Sequence, residues 1–346
     1  FTISLGTQTY FRGVYVELES INGMVGYGEG SSLPQITGDT EDSIFFNSLR
    51  MLKSMDGRSI ESLEDLGSFM DAALHLNPAA KNAIDTAAHD LVAKEYGQSL
   101  SRLLGGAPKS LPTSYTIPMG SVDDALKHLD MYKRIGIRII KVKVGGDVRL
   151  DMERIKAVAS NLNGQSFYAD ANQGYSLADA IRIGKVLAEH GALFFEQPIN
   201  RRSLKDLRLL REETGLPIAL DESISSPRDV IDAIMHEAVD IVNVKLAKSG
   251  GVRNAFKTIE TAQAYGIKAM VGCMIESKVG ISAALAVASS LSNVAYTDLD
   301  GFISLSEQPF DGGLETINGI NVPATGPGLA VKKNEDVIKR YLVSDW

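Results

Sequence analysis

Eight short runs rich in β-branched, aliphatic and aromatic residues, near 112–117, 138–144, 166–171, 192–197, 216–221, 240–246, 267–273 and 293–298, recur about every 25 residues with helical stretches between them. That alternation restricts the chain more than any other feature. Strands that always return through a helix lie parallel, and a parallel sheet needs cover on both faces. Eight such strands with seven intervening helices, Ser121 to Ile135 among them, predict an α/β fold with a closed parallel barrel, (β/α)7β, over residues 109–300. A doubly wound open sheet is the competing arrangement, and eight regular units favour closure.

The chain on either side breaks this rhythm. Residues 1–46 read as strands and turns, with a β-branched and aromatic run from Thr9 to Glu19. Ile21-Asn22-Gly23 reads as a hairpin turn leading into a glycine-rich loop, Gly26-Tyr27-Gly28-Glu29-Gly30, with the properties of a mobile flap. Ser31-Ser32-Leu33-Pro34 follows where a phosphate cradle would begin a helix, so nucleotide binding is not indicated. The pattern from Glu41 to Glu95 is helical and alanine-rich, and Leu104-Gly105-Gly106-Ala107-Pro108 stops it. Residues 1–108 therefore read as an α+β domain, and the tail, 301–346, is expected to return to it.

Strand C-termini of a parallel barrel converge on one mouth, where such folds place their chemistry. Asp170, Glu196 and Asp221 end the third, fourth and fifth strands, spaced by 26 and 25 residues, and so gather there. Any one of them could cap the following helix; three coincident strand ends are hard to obtain by capping alone. Bare carboxylates in a small space repel, so a cation is required, and an oxygen-only set without histidine or cysteine suits Mg2+.

The second strand, Ile139 to Val144, carries Lys141 and Lys143 on one face. A K-x-K pair is often a solvated edge. Inside a barrel, burial and mutual repulsion would instead lower a lysine from its ordinary value of about 10.4 and make a base of it. On the sixth strand Ile241, Asn243 and Lys245 share a face, whereas Lys248 falls beyond the strand. Strands two and six stand opposite each other in an eight-stranded barrel. Lys143 and Lys245 would then face each other across the cation, a two-base geometry.

With 346 residues, 44% hydrophobic and 23% charged, the composition is ordinarily globular, and the net charge of −8 argues against nucleic-acid or anionic-membrane partners. Cys273 is the only cysteine, which excludes an internal disulfide and points to a reducing, cytoplasmic setting. No apolar run approaches the length of a membrane span. The sequence begins at Phe1 rather than methionine, which leaves room for a leader or an earlier strand.

Lys141-x-Lys143, Asp170, Glu196, Asp221 and Lys245 at these spacings resemble the enolase superfamily, in its muconate-lactonizing subgroup. The resemblance covers nearly the whole chain and implies a (β/α)7β modified TIM barrel under an α+β capping domain. It implies Mg2+ on Asp170, Glu196 and Asp221, Lys143 and Lys245 as the acid/base pair, and Lys141 as a pKa-lowering or enolate-stabilising neighbour. The shared chemistry is removal of a proton α to a carboxylate. All five histidines lie at or before His236, so none can serve on the seventh or eighth strand, which disfavours mandelate-racemase-like relatives.

Asp298 and Asp300, sharing a face at the end of the eighth strand, look like the D-x-D signature of dipeptide epimerases, where two acids hold a substrate's α-ammonium. A polar turn would read the same way. The resemblance thus implies epimerisation of a dipeptide at the α-carbon of its C-terminal residue, in a protein that is often a homo-oligomer. The alternatives in the subgroup are o-succinylbenzoate synthase, N-acylamino acid racemase and muconate cycloisomerase, whose substrates lack a free ammonium. A non-catalytic barrel binding a cation structurally would not need the three lysines. L-Ala-D/L-Glu epimerases carry an arginine in the N-terminal flap where this chain has Gly6, with Arg12 out of register, which favours a second residue other than glutamate. Thr116 and Cys273-Met274, at the ends of strands one and seven, are candidate pocket residues that packing alone could also explain.

Overall fold

The computed structural model describes residues 2–3, 6–7, 10–343 and 345. The eight strands stand where the alternation places them: Ser114–Ile117, Ile139–Lys143, Ser166–Asp170, Phe195–Glu196, Ile218–Leu220, Ile241–Val244, Lys268–Gly272 and Val294–Asp298. They form one parallel sheet in sequential order, each pairing with the next. The first and last strands meet through side chains at a seam: Thr297 Oγ1 donates to Pro112 O (2.7 Å), and Leu299 N donates to Thr113 Oγ1 (2.7 Å). The result is a nearly closed barrel with seven helices outside.

Period-two alternation divides each strand between two cores. Outward residues such as Ile140, Val142, Phe167, Ile218, Leu220, Val242 and Val244 pack under the helices in the main apolar cluster. Inward residues form a separate plug of Tyr168, Phe194, Ala219, Ile241 and Met270, with Ile139 and Tyr296 against it. Tyr168 and Phe194 stack with ring centroids 4.3 Å apart. This plug closes the barrel from below and leaves the strand ends free for polar groups.

The N-terminal sheet pairs Gly13–Glu19 with Val25–Ser31. The stretch expected as a glycine-rich loop and flap is therefore strand. Its glycines, alternating along one face, lie against a helix, Pro78–Glu95, that presents Ala79, Ala83 and Ala87 one turn apart. A β-carbon on Gly28 would stand 1.9 Å from Ala83 O, and one on Gly26 2.2 Å from Ala87 O. Glycine is present here because sheet and helix touch backbone to backbone, not because a loop needs freedom.

After the eighth strand a short 3-10 turn leads to Leu314–Ile317 and Ile320–Pro323, the latter pairing with Leu111–Pro112. Phe310 places its ring 5.2 Å from both Tyr15 and Tyr27 of the N-terminal sheet, and Leu329 N donates to Asp90 Oδ1 (2.7 Å). Among the described residues no helix is long and apolar enough to cross a membrane.

Candidate active site

The polar residues of the mouth continue the inward face of the plug. Lys141 and Lys143 follow Ile139 at alternate positions, while Asp170 stands two beyond Tyr168, Glu196 two beyond Phe194, Asp221 two beyond Ala219, Asn243 two beyond Ile241 and Asp298 two beyond Tyr296. The same alternation that seals the barrel therefore delivers the chemistry of six strands to one layer. All of these polar residues are buried.

Lys141 lies at the centre. Its Nζ donates to Asp298 Oδ2 at 2.6 Å and is 3.0 Å from Asp170 Oδ2 and 3.1 Å from Glu196 Oε2. Lys143 Nζ donates to Asp170 Oδ2 at 2.6 Å and to Asn172 Oδ1 at 2.8 Å. Lys245 Nζ is 2.8 Å from Asp221 Oδ2. Asn243 Nδ2 donates to Glu196 Oε1 at 2.7 Å. The lysines are thus interleaved with the acids.

These acids overturn the expectation that Lys141 would be depressed towards neutrality. Burial does push the Lys141 ammonium down, but Asp170, Asp298 and Glu196 outweigh it and hold the group well above its ordinary value. Lys245 is likewise raised, with burial opposed chiefly by Asp221. The acids divide: burial is overcome by Lys141 and Lys143 at Asp170, which falls to about 2, whereas Glu196 is pushed up to about 8 by burial and the Asp170 charge.

Among the described residues, no three His, Cys, Asp or Glu side chains are gathered into a ready ion cage, because the ammonium groups stand between the carboxylates. The donors nevertheless fit a hard divalent cation. Glu196 Oε2 and Asp221 Oδ2 are fully buried and face the ammonium groups of Lys141 (3.1 Å) and Lys245 (2.8 Å), positive charges whose place a cation could take. Asp170, Glu196 and Asp221 offer oxygen alone, which suits Mg2+.

Asp298 also accepts from Ser114 Oγ (2.8 Å). Asp300 Oδ2 accepts from Thr116 N (3.1 Å), and its carboxyl is raised to about 7 by burial and the Asp298 charge. Thr116 is buried, its carbonyl accepting from Tyr132 Oη (2.7 Å), so its backbone is committed to the barrel wall. Met274 is buried and Cys273 half-buried, with burial and Asp300 pushing its thiol up.

Several participants escaped sequence reasoning. Lys248, placed beyond the strand, folds back within the one-turn helix Leu246–Ser249 to donate to Asp221 Oδ1 and O and, at 2.9 Å, to Asn243 O. Its position three residues after Lys245, one helical turn, was the available signal. Glu222, raised to about 7 by burial and Asp221, accepts from Asn172 Nδ2 (3.2 Å). Glu276, in the loop after the seventh strand, is buried with Oε1 lacking a hydrogen bond.

Two family models match, "Mandelate racemase / muconate lactonizing enzyme, N-terminal domain" over residues 1–105 and "Enolase C-terminal domain-like" over 124–337. The L-Ala-D/L-Glu epimerase of Clostridium acetobutylicum is 32% identical over 323 residues, 92% of this chain and 90% of the relative. The N-succinyl-L-Arg/Lys racemase of Bacillus cereus is 29% identical over 99% of this chain and 94% of its own. Among solved structures, a dipeptide epimerase from Cytophaga hutchinsonii complexed with Mg and the dipeptide D-Ala-L-Val superposes with a TM-score of 0.94 at 32% identity, covering 98% of this chain and 93% of that one. Barrel, N-terminal domain and sequence all agree, and the chain belongs to the enolase superfamily as one of its isomerases, with the N-terminal domain of the mandelate racemase and muconate-lactonizing enzymes.

Proposed function

We propose that this protein epimerises dipeptides at the α-carbon of the C-terminal residue, by Mg2+-dependent 1,1-proton transfer between two lysines. The observation that carries the reading is the pairing of Lys143 and Lys245, from strands two and six, with carboxylates at the ends of strands three and five. Asp170, Glu196 and Asp221 would hold the metal. When bound, Mg2+ supplies positive charge against the second negative charge that develops on the substrate carboxylate as the α-proton leaves.

The chain's own residues then divide the work. With Asp170 and Asp221 engaged by a cation, Lys143 and Lys245 are released from their carboxylate partners, so one can take the α-proton while the other delivers one to the opposite face. Lys141, still paired at 2.6 Å with Asp298, which is not among the metal ligands, stays charged and faces the developing carboxylate charge. Asp300, its carboxyl raised by burial and a neighbouring acid, gains most from an arriving ammonium and serves with Asp298 as the receptor for the dipeptide's amino terminus. Thr116, donating its N–H to Asp300, lines that end. The relatives named as dipeptide epimerases support this reading.

A mass-spectrometric screen of L,L-dipeptide libraries in D2O with Mg2+ tests it. One deuteron gained at the α-carbon in one chemical class of dipeptide, and only with Mg2+, is the expected result. No exchange in any dipeptide, with exchange in N-acylated amino acids, would move the assignment to the racemase reading that the Bacillus cereus relative represents.

A further inference from the structure

Apart from the reacting groups, a buried charged pair lies beneath the second strand. Asp151 and Arg154, one turn apart on the helix Val148–Ser160, are 2% and 1% exposed, and among the described residues Arg154 is one of the largest fully buried side chains. A buried ion pair is weak support for a fold, since the desolvation of both charges opposes it. What these two groups hold is more informative.

Arg154 Nη1 donates to the backbone carbonyl of Lys143 (2.7 Å), and Nη2 donates to Pro118 O (2.7 Å), just past the first strand. Nη1 also reaches Asp151 Oδ1 at 3.1 Å. The other oxygen, Asp151 Oδ2, accepts from Gly145 N (3.1 Å), Gly146 N (3.0 Å) and the Tyr175 hydroxyl (2.6 Å). Tyr175 closes the loop that starts at Asp170 and contains Asn172, the side-chain partner of Lys143. Gly145, at a φ of +106°, packs so closely on this loop that a β-carbon would stand 2.4 Å from Ala171 O. One ion pair therefore fixes both the backbone from which Lys143 springs and the loop that carries its partners.

We infer that Arg154, with Asp151 and Tyr175, is a positioning residue for Lys143 alone, setting the reach of one base without touching substrate. This rests on the two-base reading above. Among the described residues, none of the hydrogen bonds of Arg154, Asp151 or Tyr175 reaches Lys245, which pairs with Asp221 at the end of the fifth strand. A lysine that takes protons from one face only should then suffer on that face only. A side chain that merely held the barrel together would impair both.

The measurement is α-proton exchange in D2O with Mg2+, started separately from L-Ala-L-Leu and L-Ala-D-Leu, or from whichever epimeric pair the wild type exchanges fastest. Lys143→Ala and Lys245→Ala first assign each epimer to its lysine. Arg154→Lys keeps the charge but cannot fork between two carbonyls, and Tyr175→Phe removes a single hydroxyl while conserving shape. The expected result is a loss on the Lys143 face of about 100-fold in Arg154→Lys, and about 10-fold in Tyr175→Phe, with the Lys245 face changed less than about threefold. Should Arg154→Lys fail to fold, the Tyr175→Phe asymmetry decides alone. Wild-type exchange on both faces with an equal loss, or none, in the variants overturns the positioning role by itself. Wild-type exchange on neither face overturns the two-base reading, and the inference with it.

Discussion

Lys248 shows how a single side chain can govern a site from outside the strand that carries it. It is buried, donates to Asp221 and to the Asn243 carbonyl, and is lowered from its ordinary value by that burial. Replacement by methionine leaves Asp221 with one cation instead of two, and breaking a buried pair in this way costs about 3 kcal/mol. Lys248→Met should therefore lower the urea midpoint of the metal-free protein, whereas an unchanged midpoint would show that Lys245 alone satisfies Asp221. Glu276 makes a pH prediction. Burial and the neighbouring Glu29 raise its carboxyl to about 8, above the unfolded value of about 4.3. The folded protein then keeps a proton that the unfolded chain releases, so this group subtracts stability as pH rises from about 4.3 to about 8, by at most about 1.4 kcal/mol per pH unit. Glu276→Gln should flatten the fall in stability between pH 5 and pH 8, seen in urea titrations at both; parallel profiles would contradict it. The acids at strand ends were legible because inward positions follow a fixed two-residue period. Lys248 and the raised pKa of Lys141 were not, since both depend on which carboxylates approach in space.

At the scale of elements, the barrel strands announced themselves because parallel strands buried on both faces must be apolar throughout. Val25–Ser31 did not, because glycine at every second position has the sequence character of a loop. Its cause lies in the partner helix, whose Ala79, Ala83 and Ala87 backbone carbonyls occupy the space a side chain would need. Gly28→Ala is expected to destabilise the protein by about 3 kcal/mol through forced separation of strand and helix. Thermal unfolding of that variant checks it, and a shift of less than one degree would show that the contact is looser than described.

Across the molecule, the N-terminal sheet and the barrel share hydrogen bonds that neither could satisfy alone. Glu29, fully buried, accepts from Ser277 N (2.8 Å), Ser277 Oγ (2.7 Å) and Gly280 N (3.0 Å), and so caps the last barrel helix, Lys278–Ser290, from the other domain. Arg253, at the start of the sixth barrel helix, ties back by donating its backbone N–H to Asp85 (3.2 Å). Such shared partners predict one cooperative unfolding transition. Glu29→Ala, which strands three donors, should cost about 1–3 kcal/mol and broaden or split the calorimetric peak; two separate peaks in the wild type would contradict the coupling. No sequence pattern announces Glu29, because its partners lie some 250 residues away, at Ser277 and Gly280.

In the proposed mechanism Lys143 and Lys245 serve opposite faces of one α-carbon. Each alanine variant should lose epimerisation by at least about 100-fold, in keeping with removal of a positioned acid or base. Each should nevertheless keep α-proton exchange in D2O with one epimer of the dipeptide, and the two variants should keep opposite epimers. Retention of the same epimer by both, or of full epimerisation by either, would contradict the two-base mechanism.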